Sequence, residues 1–75
     1  DNKERNIMNE DSLNMEIRKF LKKVGITSQR IIENQINTAN NNGSIKAGDE
    51  IDLEMTLSIK NFQSINKIEG KITIE

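Results

Sequence analysis

The side chains that most often carry out catalysis or bind transition metals are missing from this sequence. It has no histidine and no cysteine among its 75 residues, so neither a disulfide nor a thiolate or imidazole zinc site can form. Without these residues, no nucleophile–base pair can be drawn for the serine and threonine hydroxyls. We therefore expect no catalytic residues, no cofactor and no bound metal, and we expect that the protein is not an enzyme.

The densest acidic cluster lies at Asp49, Glu50, Asp52 and Glu54, and carboxylate oxygens are the ligands that hard cations prefer. The spacing does not fit the twelve-residue calcium loop. The alternating pattern around the cluster also puts Asp52 and Glu54 on the solvated face of a strand. We therefore interpret the cluster as strand surface rather than as a metal site.

Basic and amide side chains surround a glycine in a pattern that resembles a helix-turn-helix motif. If Gly25 is the turn glycine, residues 28–30 open a recognition-like helix, and Gln and Arg read adenine and guanine edges well. Two positions disagree: Leu21 stands where the motif needs a small residue, and Asn34 where it needs an apolar one. The candidate partner or nucleic-acid face consists of Arg18, Lys19, Lys22, Lys23, Gln29 and Arg30.

Two interpretations of this basic face stay open. As part of a winged-helix-like protein, it would contact nucleic acid, and the hairpin that follows would be the wing. As an ordinary solvated helix face, it would have no ligand, and Glu16 and Glu33 dilute its charge. We favour the solvated face, because the net charge of the chain is -1 and gives no overall attraction to nucleic acid.

The first of two predicted helices runs from about residue 12 to residue 24. An N-cap at Asp11 or Ser12 begins it, and Gly25 in the left-handed conformation follows its last turn. Its apolar side chains repeat at the spacing of one helical face, and they are Leu13, Ile17, Phe20, Leu21 and Val24.

The second predicted helix begins at once, with Thr27 as its N-cap and Ile26 packed on Ile31 as a hydrophobic staple. It ends in the run of asparagines before Gly43, which are poor helix formers. Because the linker covers only residues 25–27, the two helices should fold back on each other as an angled pair. The predicted buried stripe of this helix is Ile32, Ile36 and Ala39.

Beyond residue 50 the apolar repeat changes to a period of two, which predicts a β-hairpin. The first strand alternates over residues 51–59, a loop covers residues 61–66, and a second strand follows. The preferred register places Glu54 opposite Lys71 and Ile51 opposite Ile74. The apolar side chains expected to face the helices are Ile51, Leu53, Met55, Leu57 and Ile59, with Ile68, Ile72 and Ile74.

The length of the chain allows one domain at most. Residues 1–10 are polar and are expected to be a frayed or disordered lead, and residues 11–75 a single domain. No stretch approaches the ~18 apolar residues of a membrane helix, so no membrane contact and a cytoplasmic location are expected. Both strands of a lone hairpin are edges, which favours a protein partner or self-association through those edges.

The segment from Met8 to Glu33 contains the motifs I-R-K-F-L-K-K-V-G and T-S-Q-R. It resembles the opening of a family of short, uncharacterised bacterial proteins classed as a domain of unknown function, and the strand M-T-L-S-I fits as well. Since these proteins start at the equivalent of Met8, the resemblance implies that residues 1–7 are an extension. Ile31 and the asparagine-rich segment 40–42 depart from the family pattern. No activity is known for the family, so the resemblance implies fold and bacterial origin only.

The sequence thus predicts an α+β fold, a helical hairpin of two helices followed by an antiparallel β-hairpin, in the order ααββ. The function that we expect is that of a small, non-catalytic interaction or accessory module, homo-oligomeric, in a process that the sequence does not identify. The alternative is the winged-helix-like nucleic-acid-binding protein described above.

Overall fold

A single long helix precedes an antiparallel β-hairpin in the computed structural model, which describes residues 8–75. Helix α1 spans Glu10–Asn41, and strands β1 and β2 span Glu50–Ile59 and Ser64–Thr73, with a short 3-10 helix at Lys60–Phe62 between them. The α+β class and the β-hairpin are confirmed. The predicted pair of helices is wrong, because one helix of 32 residues occupies both segments. At ~1.5 Å per residue, α1 is ~48 Å long.

The chain divides into two compact units, one that ends at Ile36 and one that spans Asn37–Glu75. The single domain expected for residues 11–75 stays a prediction. Of the frayed lead expected for residues 1–10, residues 1–7 lie outside the described part of the chain. Of its remaining positions, Glu10 already belongs to α1.

The N-cap of α1 is Asn9, and the prediction of Asp11 or Ser12 is wrong. The Asn9 side-chain oxygen accepts a hydrogen bond from the backbone N–H of Ser12 at 3.0 Å, and its carbonyl accepts the N–H of Leu13 at 3.0 Å. Glu10 and Asp11 fall in the first turn, where their charge favours the positive end of the helix dipole. The helix therefore begins two or three residues earlier than predicted.

At Gly25, where the predicted first helix stops, α1 continues without a break. The backbone of Gly25 is not left-handed, whereas Gly43 and Gly48 have φ of 77° and 96°. A glycine inside a helix costs about 1 kcal/mol relative to alanine. Ending one helix and starting another leaves four carbonyls and four N–H groups without helical partners. One glycine, with no proline nearby, is too small a penalty to interrupt the helix.

Gly43 is the glycine that ends α1, as the sequence predicted. The N–H of Ser44 donates to the carbonyl of Ala39 at 2.8 Å, and the N–H of Gly43 to the carbonyl of Asn40 at 3.2 Å. These two bonds form a Schellman motif with Gly43 at C′. The Asn42 side chain also accepts the N–H of Ser44 at 3.0 Å, so backbone and side-chain groups at the end of the helix are both satisfied.

The hairpin pairs β1 and β2 in a register that differs by two residues from the predicted one. Ile51 lies opposite Ile72 rather than Ile74, and Glu54 lies opposite Glu69 rather than Lys71. A shift of two residues leaves every side chain on the predicted face, because the side-chain period of a strand is two. The alternating pattern therefore predicted the faces correctly, and the turn decided the pairing.

The turn is shorter than the predicted loop at residues 61–66, because β2 already begins at Ser64. Ile59 and Ser64 are the last paired residues before the turn, and four residues connect them. Lys60–Phe62 form the 3-10 turn, and Gln63 closes it in the left-handed conformation with φ of 52°. At the other end of the hairpin, Ile74 donates its N–H to the carbonyl of Asp49 at 2.8 Å and extends the ladder.

No side chain in residues 8–75 is buried. Ile51, Leu53, Leu57 and Ile72 on the hairpin are only half-buried, as are the predicted core residues Ile32, Ile36 and Ala39 on α1. The described part of the chain therefore holds its apolar residues on faces of its elements rather than in an enclosed core.

Candidate interaction surfaces

The predicted basic face lies on one side of α1, opposite its apolar side. At about 100° of rotation per residue, its six residues fall within about 140° of one another around the helix axis. They extend over ~18 Å, because residues 18 and 30 are twelve positions apart at ~1.5 Å each. The structure therefore brings the six together on one exposed surface, which consists of Arg18, Lys19, Lys22, Lys23, Gln29 and Arg30.

Two members of this basic face bind acidic neighbours on the same helix. Lys19 Nζ lies 3.7 Å from a carboxylate oxygen of Glu16, and the Gln29 side-chain amide donates to Glu33 at 3.0 Å. Both pairs are exposed, and each stabilises an isolated helix by only about 0.2–0.5 kcal/mol. The face is therefore exposed and carries charges of both signs, and its role as a partner or nucleic-acid face stays a prediction.

The helix-turn-helix interpretation is wrong, because residues 25–27 do not form a turn. That motif requires two helices at a steep angle, so that the second enters the major groove while the first crosses the backbone. Gln29 and Arg30 instead lie in the middle of α1. They cannot be presented as the first turn of a recognition helix.

An apolar seam, interrupted by one threonine, follows α1 on the side opposite the basic face, and we use this name for Leu13, Ile17, Phe20, Val24, Thr27 and Ile31. The steps between its members alternate between four and three residues, which keeps them on one side of the helix. Most of the seam is open to solvent. The exposed fractions are 40% for Leu13, 46% for Ile17, 52% for Phe20 and 57% for Ile31.

The continuity of this seam contradicts the expected helix end at Gly25, which divides the apolar stripe in two. The available signal was the interval of seven residues between Ile17 and Val24 and again between Val24 and Ile31. A seven-residue repeat joins the two halves without a change of face. With Gly25 interpreted as a helix end, Ile31 was assigned to a staple instead.

The hairpin has a second apolar face that is only partly covered. Met55 lies opposite Ile68, and Ile68 is 59% exposed. Leu53 lies opposite Gly70, and a Cβ atom added to Gly70 would meet no atom within 4 Å. The face therefore has open space at Gly70, opposite Leu53. Apolar surface of this kind on a two-stranded sheet needs additional packing for stability.

The other face of the hairpin is charged and internally paired. Lys71 Nζ lies 3.4 Å from Glu50 and 3.8 Å from Asp52, and Lys67 Nζ lies 3.6 Å from Glu54. These exposed pairs are each worth about 0–1 kcal/mol, and charges on edge strands oppose uncontrolled pairing. Within residues 8–75, no group of three or more carboxylates is placed to hold a metal ion.

Comparison with known proteins identifies a family but no relative of known activity. The family of unknown function DUF6494 matches residues 8–75, so the chain belongs to it. No curated protein and no solved structure matches the chain. No helix in the described residues combines the length and the apolar character needed to cross a membrane; the cytoplasmic location stays a prediction.

Proposed function

We propose that this member of the DUF6494 family is a non-catalytic interaction module that covers its apolar surfaces by binding another protein chain. One observation carries the proposal. In residues 8–75 no side chain is buried, while thirteen large apolar side chains are exposed. Eight of them lie on or just before α1, Phe62 lies in the hairpin turn, and four lie in the strands, namely Met55, Ile59, Ile65 and Ile68.

The free energy of hydrophobic burial makes this distribution informative. Apolar surface contributes roughly 25 cal/mol per Å² when it leaves water, and it is the main favourable term in both folding and association. A single exposed leucine is ordinary, but contiguous apolar faces mark interaction sites. Small domains often need oligomerisation to bury enough surface. A second chain would supply that burial.

The structure offers two kinds of surface for such a partner. One is the apolar seam of α1, and the other is the hairpin, with its half-covered apolar face and its strand edges. Within the described residues the sheet has two strands, so β1 and β2 each keep one edge open for main-chain hydrogen bonds to another strand.

Association predicts that stability depends on concentration. A partner that binds only the folded state raises the midpoint of thermal unfolding as its concentration rises. We expect sedimentation velocity to give a mass above that of the monomer, and the unfolding midpoint to rise with protein concentration. If the partner is a different protein, affinity capture from the source cells should recover it in stoichiometric amount.

The proposal fails if the pure chain is a monomer at every concentration, has a fixed unfolding midpoint and captures no stoichiometric partner. As a control for general stickiness, a substitution on the charged face of the hairpin, Lys67→Ser, should leave the association unchanged. It removes one exposed ion pair with Glu54 and no apolar contact.

A second candidate function uses the basic face of α1 as a non-specific contact for nucleic-acid phosphates. The observation that favours it is the grouping of five cationic side chains on one exposed side of a helix. Phosphate contacts are strongest at low salt, so an electrophoretic mobility shift at ~50 mM salt is the test. A shift that disappears in a Lys22→Glu, Lys23→Glu double variant would support this function, and no shift at that salt concentration would eliminate it.

A further inference from the structure

We propose that the chain bound by the apolar seam is a second copy of the same protein, whose α1 runs antiparallel to the first. This inference rests on the proposed function and specifies its partner. The seam has the pattern of a coiled coil, in which positions a and d of each heptad are apolar. Ile17, Val24 and Ile31 occupy the a positions, and Leu13, Phe20 and Thr27 occupy the d positions.

The seam is symmetric about its centre, which suits a two-fold interface. In an antiparallel pair centred at Lys22, Leu13 faces Ile31 of the second copy, Ile17 faces Thr27, and Phe20 faces Val24. Each d position therefore meets an a position of the other helix, and the large Phe20 meets the smaller Val24. A surface that matches itself under a two-fold axis is the requirement for an isologous dimer.

The polar residues that bound the seam follow the same symmetry. In the series of a and d positions, Glu10 occupies the position before Leu13, and Asn34 occupies the position after Ile31. In the antiparallel pair Glu10 meets Asn34 of the second copy, so the apolar layers of both helices end together. No apolar layer is left opposite a charge.

Charges beside the seam are complementary in this arrangement. Glu16 and Arg30 occupy g positions, and g positions face each other across an antiparallel pair. Glu16 of each copy therefore lies beside Arg30 of the other, so each dimer contains two ion pairs between these opposite charges. Lys23 lies beside its own equivalent at the centre, where its long exposed side chain can extend into solvent.

A parallel pair matches the same seam less well. The β-branched residues at the a positions suit parallel dimers, but each layer would contain two copies of the same residue. Glu10 would then lie against Glu10, which places like charges together. Glu16 would lie beside Leu21 of the second copy. Charge therefore favours the antiparallel orientation.

The first test compares the two phenylalanines of the chain. Phe20 lies in the seam, and Phe62 lies in the hairpin turn with 77% of its surface exposed. We expect Phe20→Ser to weaken the dimer about a hundredfold, because each dimer loses two central aromatic contacts. The matched Phe62→Ser variant should retain the wild-type dissociation constant. Far-UV circular dichroism reports whether α1 is intact in each variant.

The decisive test mixes two charge-reversed variants. Glu16→Arg and Arg30→Glu should each weaken the homodimer about tenfold, because every g position then faces a like charge. An equimolar mixture of the two variants should form heterodimers at least as tight as the wild-type dimer, as opposite charges meet again. Glu33→Arg, on the opposite side of α1, is the matched control and should leave the dissociation constant of the homodimer unchanged. Native mass spectrometry counts the species.

The outcomes separate this inference from the proposed function. A mixture that forms no preferred heterodimer overturns the antiparallel pairing, even when the wild-type chain self-associates. Dimers that survive Phe20→Ser overturn the seam as the interface and leave the hairpin edges as the site. A monomeric chain that binds a different protein overturns the second copy as partner, while the interaction function stands.

Discussion

Gly25 and Gly43 have similar sequence signals and opposite roles in the structure. Each follows a helical segment, and each precedes residues that suit a helix end. Gly43 adopts φ of 77° and forms the C′ position of a Schellman motif. Gly25 lies in the middle of the 32-residue α1 and does not adopt a left-handed backbone.

The difference shows that a glycine ends a helix only when its neighbours also favour the end. Gly43 follows the run of asparagines at residues 40–42, each about as poor a helix former as an ordinary residue can be. The Asn42 side chain then accepts a hydrogen bond from the backbone N–H of Ser44, just beyond the helix. Before Val24 and Gly25 stand Lys22 and Lys23, which are good helix formers.

The strongest test of this comparison is proline at Ser28. If Thr27 were the N-cap of a second helix, Ser28 would be its first residue, where proline is favoured. In the continuous α1, proline removes the N–H that bonds the carbonyl of Val24 and clashes with that turn. We expect Ser28→Pro to lower the free energy of unfolding by about 3 kcal/mol.

Urea unfolding followed by circular dichroism, at one fixed protein concentration, measures this change. The matched control Ser28→Ala should be neutral or slightly stabilising. A proline variant as stable as the wild type would restore the two-helix arrangement.

Replacing Gly43 by alanine tests the other half of the comparison. An L-residue in the left-handed conformation costs about 1–2 kcal/mol, so we expect Gly43→Ala to destabilise the protein by that amount. Gly70→Ala is the control, because Gly70 has no positive φ and open space around its Cβ position. Equal effects of the two substitutions would contradict the assigned C′ role. Thermal unfolding of both variants is the measurement.

The smallest effect is expected at Gly25, and its sign is informative. In the interior of α1, alanine should stabilise the helix by about 0.5–1 kcal/mol, because nothing lies within 4 Å of the added Cβ atom. If Gly25 were a left-handed cap, the same substitution would destabilise. A rise in both helicity and unfolding midpoint for Gly25→Ala confirms the continuous helix, and a fall in either refutes it.

In the hairpin, the local sequence pattern predicts the faces of the strands but not their pairing. Alternation from Ile51 to Ile59 predicted which side chains share a face, and the structure confirms that assignment. Register could not be obtained in this way, because shifts of two residues preserve the faces. The predicted partner of Glu54 was Lys71, whereas the structure places Glu69 opposite it and Lys67 within 3.6 Å.

For the candidate surfaces, the sequence identified the basic face but divided the apolar seam. Arg18 and Arg30 were predicted on two helices, and in the continuous α1 they lie about 120° apart around one helix axis. Val24 and Ile31 were separated, because the joint between them was interpreted as a turn.

The sequence by itself therefore determined the strand faces, the end of α1 at Gly43 and the absence of histidine and cysteine chemistry. These follow from residue types and from periods that operate over a few neighbouring positions. Only the three-dimensional structure decided that α1 passes through Gly25 and that Ile51 pairs with Ile72. The penalty of ~1 kcal/mol for a glycine inside a helix is smaller than the cost of leaving the groups at two helix ends without helical partners, and strand pairing depends on the turn at Lys60–Phe62. A local sequence pattern shows neither the outcome at Gly25 nor the register of the strands.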